Sequence, residues 1–137
     1  MNYQLLTFKV MGDELGNLIS LEENRNIPFN IKRVYYIYGT KTDAIRGRHS
    51  HPKLNQVVVC VRGACKFLLD DGKIKKVIKL NSPEQGLFIG ENIWREMSEF
   101  TPDCVLMVLA NEFYNEDEYI RDYQQFKESL SNDKKNY

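Results

Sequence analysis

Apolar and polar residues alternate along most of this chain in short stretches, each broken by glycine, proline, asparagine or aspartate. A period of two over a few residues marks half-buried strands. Tyr3 to Val10 reads as the first, stopping at Gly12-Asp13, and Leu15 to Leu21 follows. Ile27-Pro28-Phe29-Asn30 leads into Ile31–Tyr38, which is rich in β-branched and aromatic side chains. Its alternation puts Arg33, Tyr35 and Ile37 on one face and Val34, Tyr36 and Tyr38 on the other. Gln56 to Val61 is a nearly continuous apolar strand closed by Arg62-Gly63. Cys65 to Leu69 runs into Asp70-Asp71-Gly72, a two-residue hairpin signal, and Lys75 to Leu80 is the half-exposed return. Leu87-Phe88-Ile89 and Val105 to Leu109 complete a set of about ten short strands.

Only the end changes period. Tyr119, Ile120, Tyr123, Phe126 and Leu130 recur at helical spacing, which predicts one helix over Asp117 to Leu130 and a polar, frayed tail from Ser131 to Tyr137. Strands followed by a single C-terminal helix predict an all-β sandwich or barrel of jelly-roll type. Tyr36, Tyr38, Phe88 and the aromatic stripe of the helix are expected in the core. Lys73, Lys75, Lys76 and Lys79 are expected on a solvated hairpin face.

The length of 137 residues is that of one domain. Nineteen basic residues balance nineteen acidic ones, so no global field recruits nucleic acid, and any anion must be held by locally placed arginine or lysine. The N-terminus has no basic leader, and the longest apolar runs are too short to span a bilayer. Cys60, Cys65 and Cys104 form no CxxC, and two of them sit inside apolar runs. They read as buried free thiols in a reducing cytoplasm.

The candidate chemistry lies in Arg46-Gly47-Arg48-His49-Ser50-His51, which holds both histidines. In an extended segment His49 and His51 share a face at about 7 Å along the strand, while Arg48 and Ser50 point away. Two imidazoles on one cavity serve as metal ligands or as proton carriers near neutral pH. On spacing alone, such pairs are more often ligands or hydrogen-bonded core residues than catalysts.

His49-x-His51, followed by Gln56 and then Gly63, resembles the first signature of the cupin superfamily, with Gln56 where that family has a glutamate. The second signature falls on Ile89-Gly90-Glu91-Asn92-Ile93-Trp94-Arg95, with Arg95 in the place of the last metal-ligating histidine. Gln56 offers a neutral amide, and Arg95 is cationic with no lone pair to give. Two imidazoles beside a fixed positive charge make a poor divalent site, so a cupin without metal is expected.

Within that superfamily the chain resembles the dTDP-sugar 3,4-ketoisomerases over almost its whole length. The likeness runs through Arg33-Val34-Tyr35-Tyr36-Ile37-Tyr38-Gly39, Arg46-Gly47-x-His49-x-His51, Asp70-Asp71-Gly72, Gly86-Leu87-Phe88-Ile89, Trp94-Arg95-Glu96-Met97, Cys104-Val105-Leu106 and Tyr119-Ile120-Arg121-Asp122-Tyr123. The resemblance implies a cupin jelly roll that moves the keto group of dTDP-4-keto-6-deoxyglucose from C4 to C3 through an enediol. The sugars so made would be dTDP-3-amino-3,6-dideoxy sugars for cell-surface glycans. No cofactor is expected, because the sugar's oxidation level does not change overall. The resemblance further implies His51 as the base acting on carbon, with His49 assisting at the oxygens and Tyr35 beside them. Arg33, Arg46, Arg95 and Gln56 would contact substrate, Arg46 and Arg95 by gripping the diphosphate. It also implies a homodimer with exchanged N-terminal strands, for which Leu5-Leu6-Thr7-Phe8 is an apolar edge. A sugar epimerase on the same scaffold and a non-catalytic sugar-nucleotide-binding cupin are the alternative readings. A metal-dependent dioxygenase is disfavoured by Gln56 and Arg95.

Overall fold

The computed structural model describes residues 1–135. Its strands are β1 (Tyr3–Thr7), β2 (Met11–Asp13), β3 (Gly16–Leu18), β4 (Arg33–Ile37), β5 (Arg46–His49), β6 (Gln56–Arg62), β7 (Cys65–Asp70), β8 (Lys75–Leu80), β9 (Gln85–Ile89), β10 (Trp94–Ser98) and β11 (Val105–Ala110). A short 3₁₀ turn at Glu116–Glu118 precedes the helix α1 (Tyr123–Lys135). Five strands form one sheet in the order β1-β9-β6-β11-β4, four form a second in the order β5-β10-β7-β8, and β2 and β3 pair as a separate hairpin. Every strand pairing is antiparallel. This is the expected all-β jelly-roll arrangement with one C-terminal helix.

The two larger sheets enclose a core that includes Val58, Cys60, Cys65, Phe67, Leu69, Ile89, Leu106 and Val108. A second layer covers the outer face of the five-stranded sheet, where Phe8, Ile27 and Phe29 pack on Val57, Val59 and Leu109. That double cover explains why Val57 to Cys60 is apolar without interruption. The central strand β6 has no solvated face, and both sets of alternate side chains are buried. By contrast β8, at the edge of its sheet, leaves its lysines in water as expected. Cys60, Cys65 and Cys104 are free and buried, again as expected.

Tyr36 and Tyr38 are a correction to the sequence reading. They are 68% and 69% exposed rather than core residues. Tyr36 lies on β4, the edge of the five-stranded sheet, and Tyr38 just past its end, and the covering layer packs over β6 and β11 instead. The β7–β8 turn also differs. Asp70 pairs with Lys75, so the connection has four residues rather than two. Asp71 closes it, its carboxylate accepting from the Lys73 and Ile74 amides at 2.9 and 3.0 Å. The strand β10 was not marked by alternation, because its Trp94, Arg95 and Met97 are all buried.

The helix starts six residues later than its apolar stripe predicts. Asp122 is its N-cap, with a carboxylate oxygen 2.9 Å from the Gln125 amide. An aspartate three positions before a glutamine is a start signal the sequence did contain. Ser131 to Lys135 continue the helix rather than fraying, and Asn136 and Tyr137 lie outside the described residues. Phe126 is fully buried against Trp94, whose ring centroid is 5.8 Å away. The Tyr123 hydroxyl donates to the buried Asp70 carboxylate at 2.5 Å, which ties the first turn of the helix to the end of β7.

Candidate functional site

The histidine segment is bent before it reaches the cavity. Along β10, Arg95 pairs with His49 and Glu96 with Gly47, so Arg48 is an extra residue in β5 and forms a bulge. Gly47 and Arg48 both have left-handed backbones, at φ of 81° and 57°. Gly47 suits that conformation, and a Cβ there would lie 3.1 Å from the Arg95 carbonyl oxygen. Arg48 bears the cost and turns its side chain outward toward Glu96, at 3.6 Å. Beyond the bulge, the imidazole centroids of His49 and His51 lie 4.7 Å apart and meet edge to face.

Ser50, between the histidines, pairs with Ile120 through two backbone hydrogen bonds of 2.9 and 3.0 Å. That bridge carries Tyr119 onto both imidazoles, at 5.0 Å from His49 and 4.1 Å from His51 between centroids. The Arg121 guanidinium lies over the Tyr119 ring at 4.9 Å and reaches Glu116 at 3.1 Å. The apolar stripe predicts Tyr119 in the core of the helix. The backbone pairing with Ser50 overrides helical spacing there, and Tyr119 forms cavity wall instead.

The facing wall is β4. Arg33, Tyr35 and Ile37 point inward, as their alternation predicts, and with His49, Arg46, Tyr119 and Arg121 they line a cavity of about 440 Å³. The Arg33 guanidinium lies over the Tyr35 ring at 5.2 Å and over the Tyr114 ring at 5.6 Å. Behind the cavity is a recess of about 20 Å³ bounded by Tyr35, His49, Gln56 and Arg95. Arg95 Nη1 donates to Gln56 Oε1 at 2.6 Å and Nη2 to the Ile93 carbonyl at 3.0 Å, while Gln56 Nε2 donates to the Tyr35 hydroxyl at 3.0 Å. Arg95 is 2% exposed and has no carboxylate partner among the described residues.

The candidate residues therefore occupy three depths. Arg33, Arg46, Tyr35 and His49 line the open cavity, and Gln56 and Arg95 form the floor behind it. His51 lies beneath His49 and Tyr119, 1% exposed, with Nε2 buried and unpartnered among the described residues. Arg95 thus borders the recess and is absent from the lining of the open cavity, where Arg33, Arg46 and Arg121 stand.

Burial and the Arg95 charge set the local proton affinities. His49 is lowered to about 4, first by desolvation and then by Arg95, while a hydrogen bond to the Gly47 backbone works in the opposite direction. His51 is lowered to about 2 by desolvation, then by Arg95 and His49. Tyr35 is raised, mainly by burial and next by Tyr119. Arg95 is lowered to about 10 by burial, which leaves it cationic at neutral pH. Both imidazoles are consequently free bases at pH 7, facing a buried cation that lacks an anion.

A divalent metal, common in cupin folds, does not fit these residues. The guanidinium of Arg95 occupies the floor beside the imidazoles, donates to Gln56, and offers no lone pair. Among the described residues no three histidine, cysteine or acidic side chains converge.

The additional wall residues are Tyr114, Tyr119 and Arg121, which close the cavity from the segment after β11. The signal for Tyr119 and Arg121 is the Tyr119-Ile120-Arg121-Asp122-Tyr123 run itself, whose spacing predicts part of a helix, whereas Tyr114 lies outside any such pattern.

Comparison with known proteins bears on this arrangement. Residues 1–131 match the family described as FdtA: WxcM-like, C-terminal. A TDP-4-oxo-6-deoxy-alpha-D-glucose-3,4-oxoisomerase of Aneurinibacillus thermoaerophilus is 50% identical over 96% of this chain and 94% of its own length. A 3,4-ketoisomerase from Helicobacter canadensis is 50% identical and superposes with a TM-score of 0.94, covering 96% of this chain and 98% of its own. The QdtA 3,4-ketoisomerase of Thermoanaerobacterium thermosaccharolyticum, solved as a histidine-to-asparagine mutant in complex with TDP-4-keto-6-deoxyglucose, is 45% identical with a TM-score of 0.93 over 96% and 95% of the two chains.

Proposed function

We propose that this chain, which belongs to the FdtA (WxcM-like, C-terminal) family of sugar 3,4-ketoisomerases, acts on TDP-4-keto-6-deoxyglucose and moves its keto group from C4 to C3. The observation that carries the reading is the buried Arg95 cation without an anion, placed behind two neutral imidazoles and a tyrosine hydroxyl. A cavity built in this way favours a negative charge developing on the substrate.

The C4 carbonyl acidifies the C3 proton, which a neutral imidazole accepts. We assign that step to His51. Loss of that proton leaves a negative charge opposite Arg95, on the enediolate or on the group that protonates it to the enediol, and this pairing stabilises the imidazolium that burial otherwise disfavours. Return of a proton to C4, with proton exchange between the two sugar oxygens at His49 and Tyr35, gives the 3-keto sugar. No electrons leave the substrate, so no redox cofactor takes part. Arg33 and Arg46, with Arg121 beside them, are placed to grip the diphosphate at the mouth, while Gln56 and Arg95 act from the floor.

The protein acts, in this reading, as one domain in the reducing cytoplasm, supported by its three free thiols. Among the described residues no helix is long and apolar enough to cross a membrane.

NMR of the product made from TDP-4-keto-6-deoxyglucose tests the activity. The expected product carries the ketone at C3, is formed equally well in the presence of a chelator, and gains deuterium at C4 in deuterated water unless the shielded base returns the original proton. A ketone still at C4 beside an inverted carbon would identify an epimerase. Tight TDP binding with no turnover would identify a binding protein.

We further propose a homodimer in which N-terminal strands are exchanged. Strand β1 lies at a sheet edge, and the β2–β3 hairpin holds Met11, Leu15 and Leu18 at 41%, 91% and 55% exposure, an apolar finger with nothing to pack on within the described residues. Light scattering at micromolar concentration should give twice the 16.1 kDa chain mass. A monomer mass under those conditions would refute the assembly.

A further inference from the structure

The hydrogen bonds on the cavity floor have a forced direction. A guanidinium has donors only, so the Gln56 atom 2.6 Å from Arg95 Nη1 must be the amide oxygen. The Gln56 amide nitrogen then faces Tyr35, 3.0 Å from its hydroxyl oxygen. An amide nitrogen only donates, and the Tyr35 oxygen must therefore accept. Its own proton points elsewhere, and among the described residues it is donated to no other side chain. Tyr35 borders both the open cavity and the recess behind it, so a hydroxyl proton not given to Gln56 is free to turn toward that space.

We propose that Gln56 is a positioning residue, locked in orientation by Arg95, which makes the Tyr35 hydroxyl a proton donor to the keto oxygen of the substrate. The inference rests on the ketoisomerase reading and adds a direction of proton transfer to it. As the C3 proton leaves, the Tyr35 O–H bond breaks and an O–H bond forms at the C4 oxygen. The phenolate left behind keeps its hydrogen bond from Gln56 and faces the Arg95 charge. It recovers a proton from the C3 hydroxyl as that carbon becomes the ketone, so Tyr35 ends each turnover as it began. A carboxylate at position 56 would reverse the chain. It would accept from Arg95 on one oxygen and from Tyr35 on the other, turning the tyrosine proton away from the sugar.

Gln56→Glu is the matching test, because it preserves the size of the side chain and the contact with Arg95. We expect kcat to fall by about 10–10² fold with KM within about threefold, a loss comparable to that of Tyr35→Phe. The Tyr35→Phe/Gln56→Glu double variant should be no slower than the slower single variant, since both remove the same donated proton. Charge neutralisation at Arg95 acting on its own would instead multiply with the Tyr35→Phe loss. A second readout needs no substrate. In protein carrying isotope-labelled tyrosine, the Tyr35 Cζ resonance, assigned by its absence in Tyr35→Phe, should shift in Gln56→Glu as the hydroxyl changes from acceptor to donor. Wild-type kcat in Gln56→Glu or in Tyr35→Phe, multiplying losses in the double variant, or an unmoved resonance would each overturn the proposal. A wild-type protein that leaves the keto group in place would refute the activity, while the resonance still decides the hydrogen-bond direction.

Discussion

His51→Asn should lower the turnover number by about 10²–10⁴ fold or more, the usual range for removing a general base, while leaving the fold and TDP affinity intact. Asparagine approximates the shape of imidazole but takes no proton at neutral pH. His51 is the more deeply placed of the two histidines, its Nε2 has no partner among the described residues, and it is held as a free base by burial and by Arg95. A buried polar atom left without a hydrogen bond is costly, and its persistence directly beneath the cavity-lining His49 and Tyr119 is characteristic of a group kept available for chemistry. TDP affinity should survive, because the arginines at the cavity mouth are untouched. His49→Asn should also be impaired, yet it should still exchange the C3 hydrogen of bound sugar with deuterated solvent, since His51 then retains the step at carbon. A His51→Asn enzyme within about threefold of wild type, with TDP still bound, would move the base to another group, with Tyr35 as the next candidate.

The same two histidines should make the protein lose stability as pH falls below neutrality. Unfolded imidazoles titrate near 6.5, whereas in the folded chain His49 titrates at about 4 and His51 at about 2. Below pH 6.5 the unfolded state therefore binds protons that the folded state refuses. The stability contributed by keeping the imidazoles neutral is complete above about pH 7 and declines as pH drops through 6 and 5. At pH 5 the loss is at most about 2 kcal/mol for each histidine. Asp71 and Asp103, held below their ordinary values by hydrogen bonds, act only at lower pH, where they protonate. Chemical denaturation at fixed ionic strength between pH 7.5 and 5 should show this slope, and His51→Asn should reduce it by about half. A profile flat across that range would mean that the imidazoles are hydrated or paired in solution and that the cavity is not a desolvating one.

Several features of the site were already legible in residue order. The alternation of β4 gave the inward set Arg33, Tyr35 and Ile37, because successive side chains of a strand must take opposite faces whatever lies beyond them. The unbroken apolar run of β6 implied cover on both faces, and Gln56 and Arg95 argued against a metal site by the chemistry of their atoms alone. Tyr36 and Tyr38 had the same alternation as their neighbours, but no local pattern records whether a strand will lie at the edge of its sheet.

By itself, then, the sequence determined the strand character of the chain, the side chains that share a face, and the acid–base and hydrogen-bonding capacities available. These follow from backbone sterics and atom types, which act within a few residues. Tertiary structure alone decided that β5 bulges at Arg48, that the His49 and His51 rings meet edge to face at 4.7 Å, that Ser50 pairs with Ile120 and carries Tyr119 onto them, and that Arg95 lines the recess behind the cavity. Those outcomes depend on hydrogen-bond register between segments far apart in the chain. A shift of one residue would turn each side chain to the opposite face, and that choice is made by the packed whole.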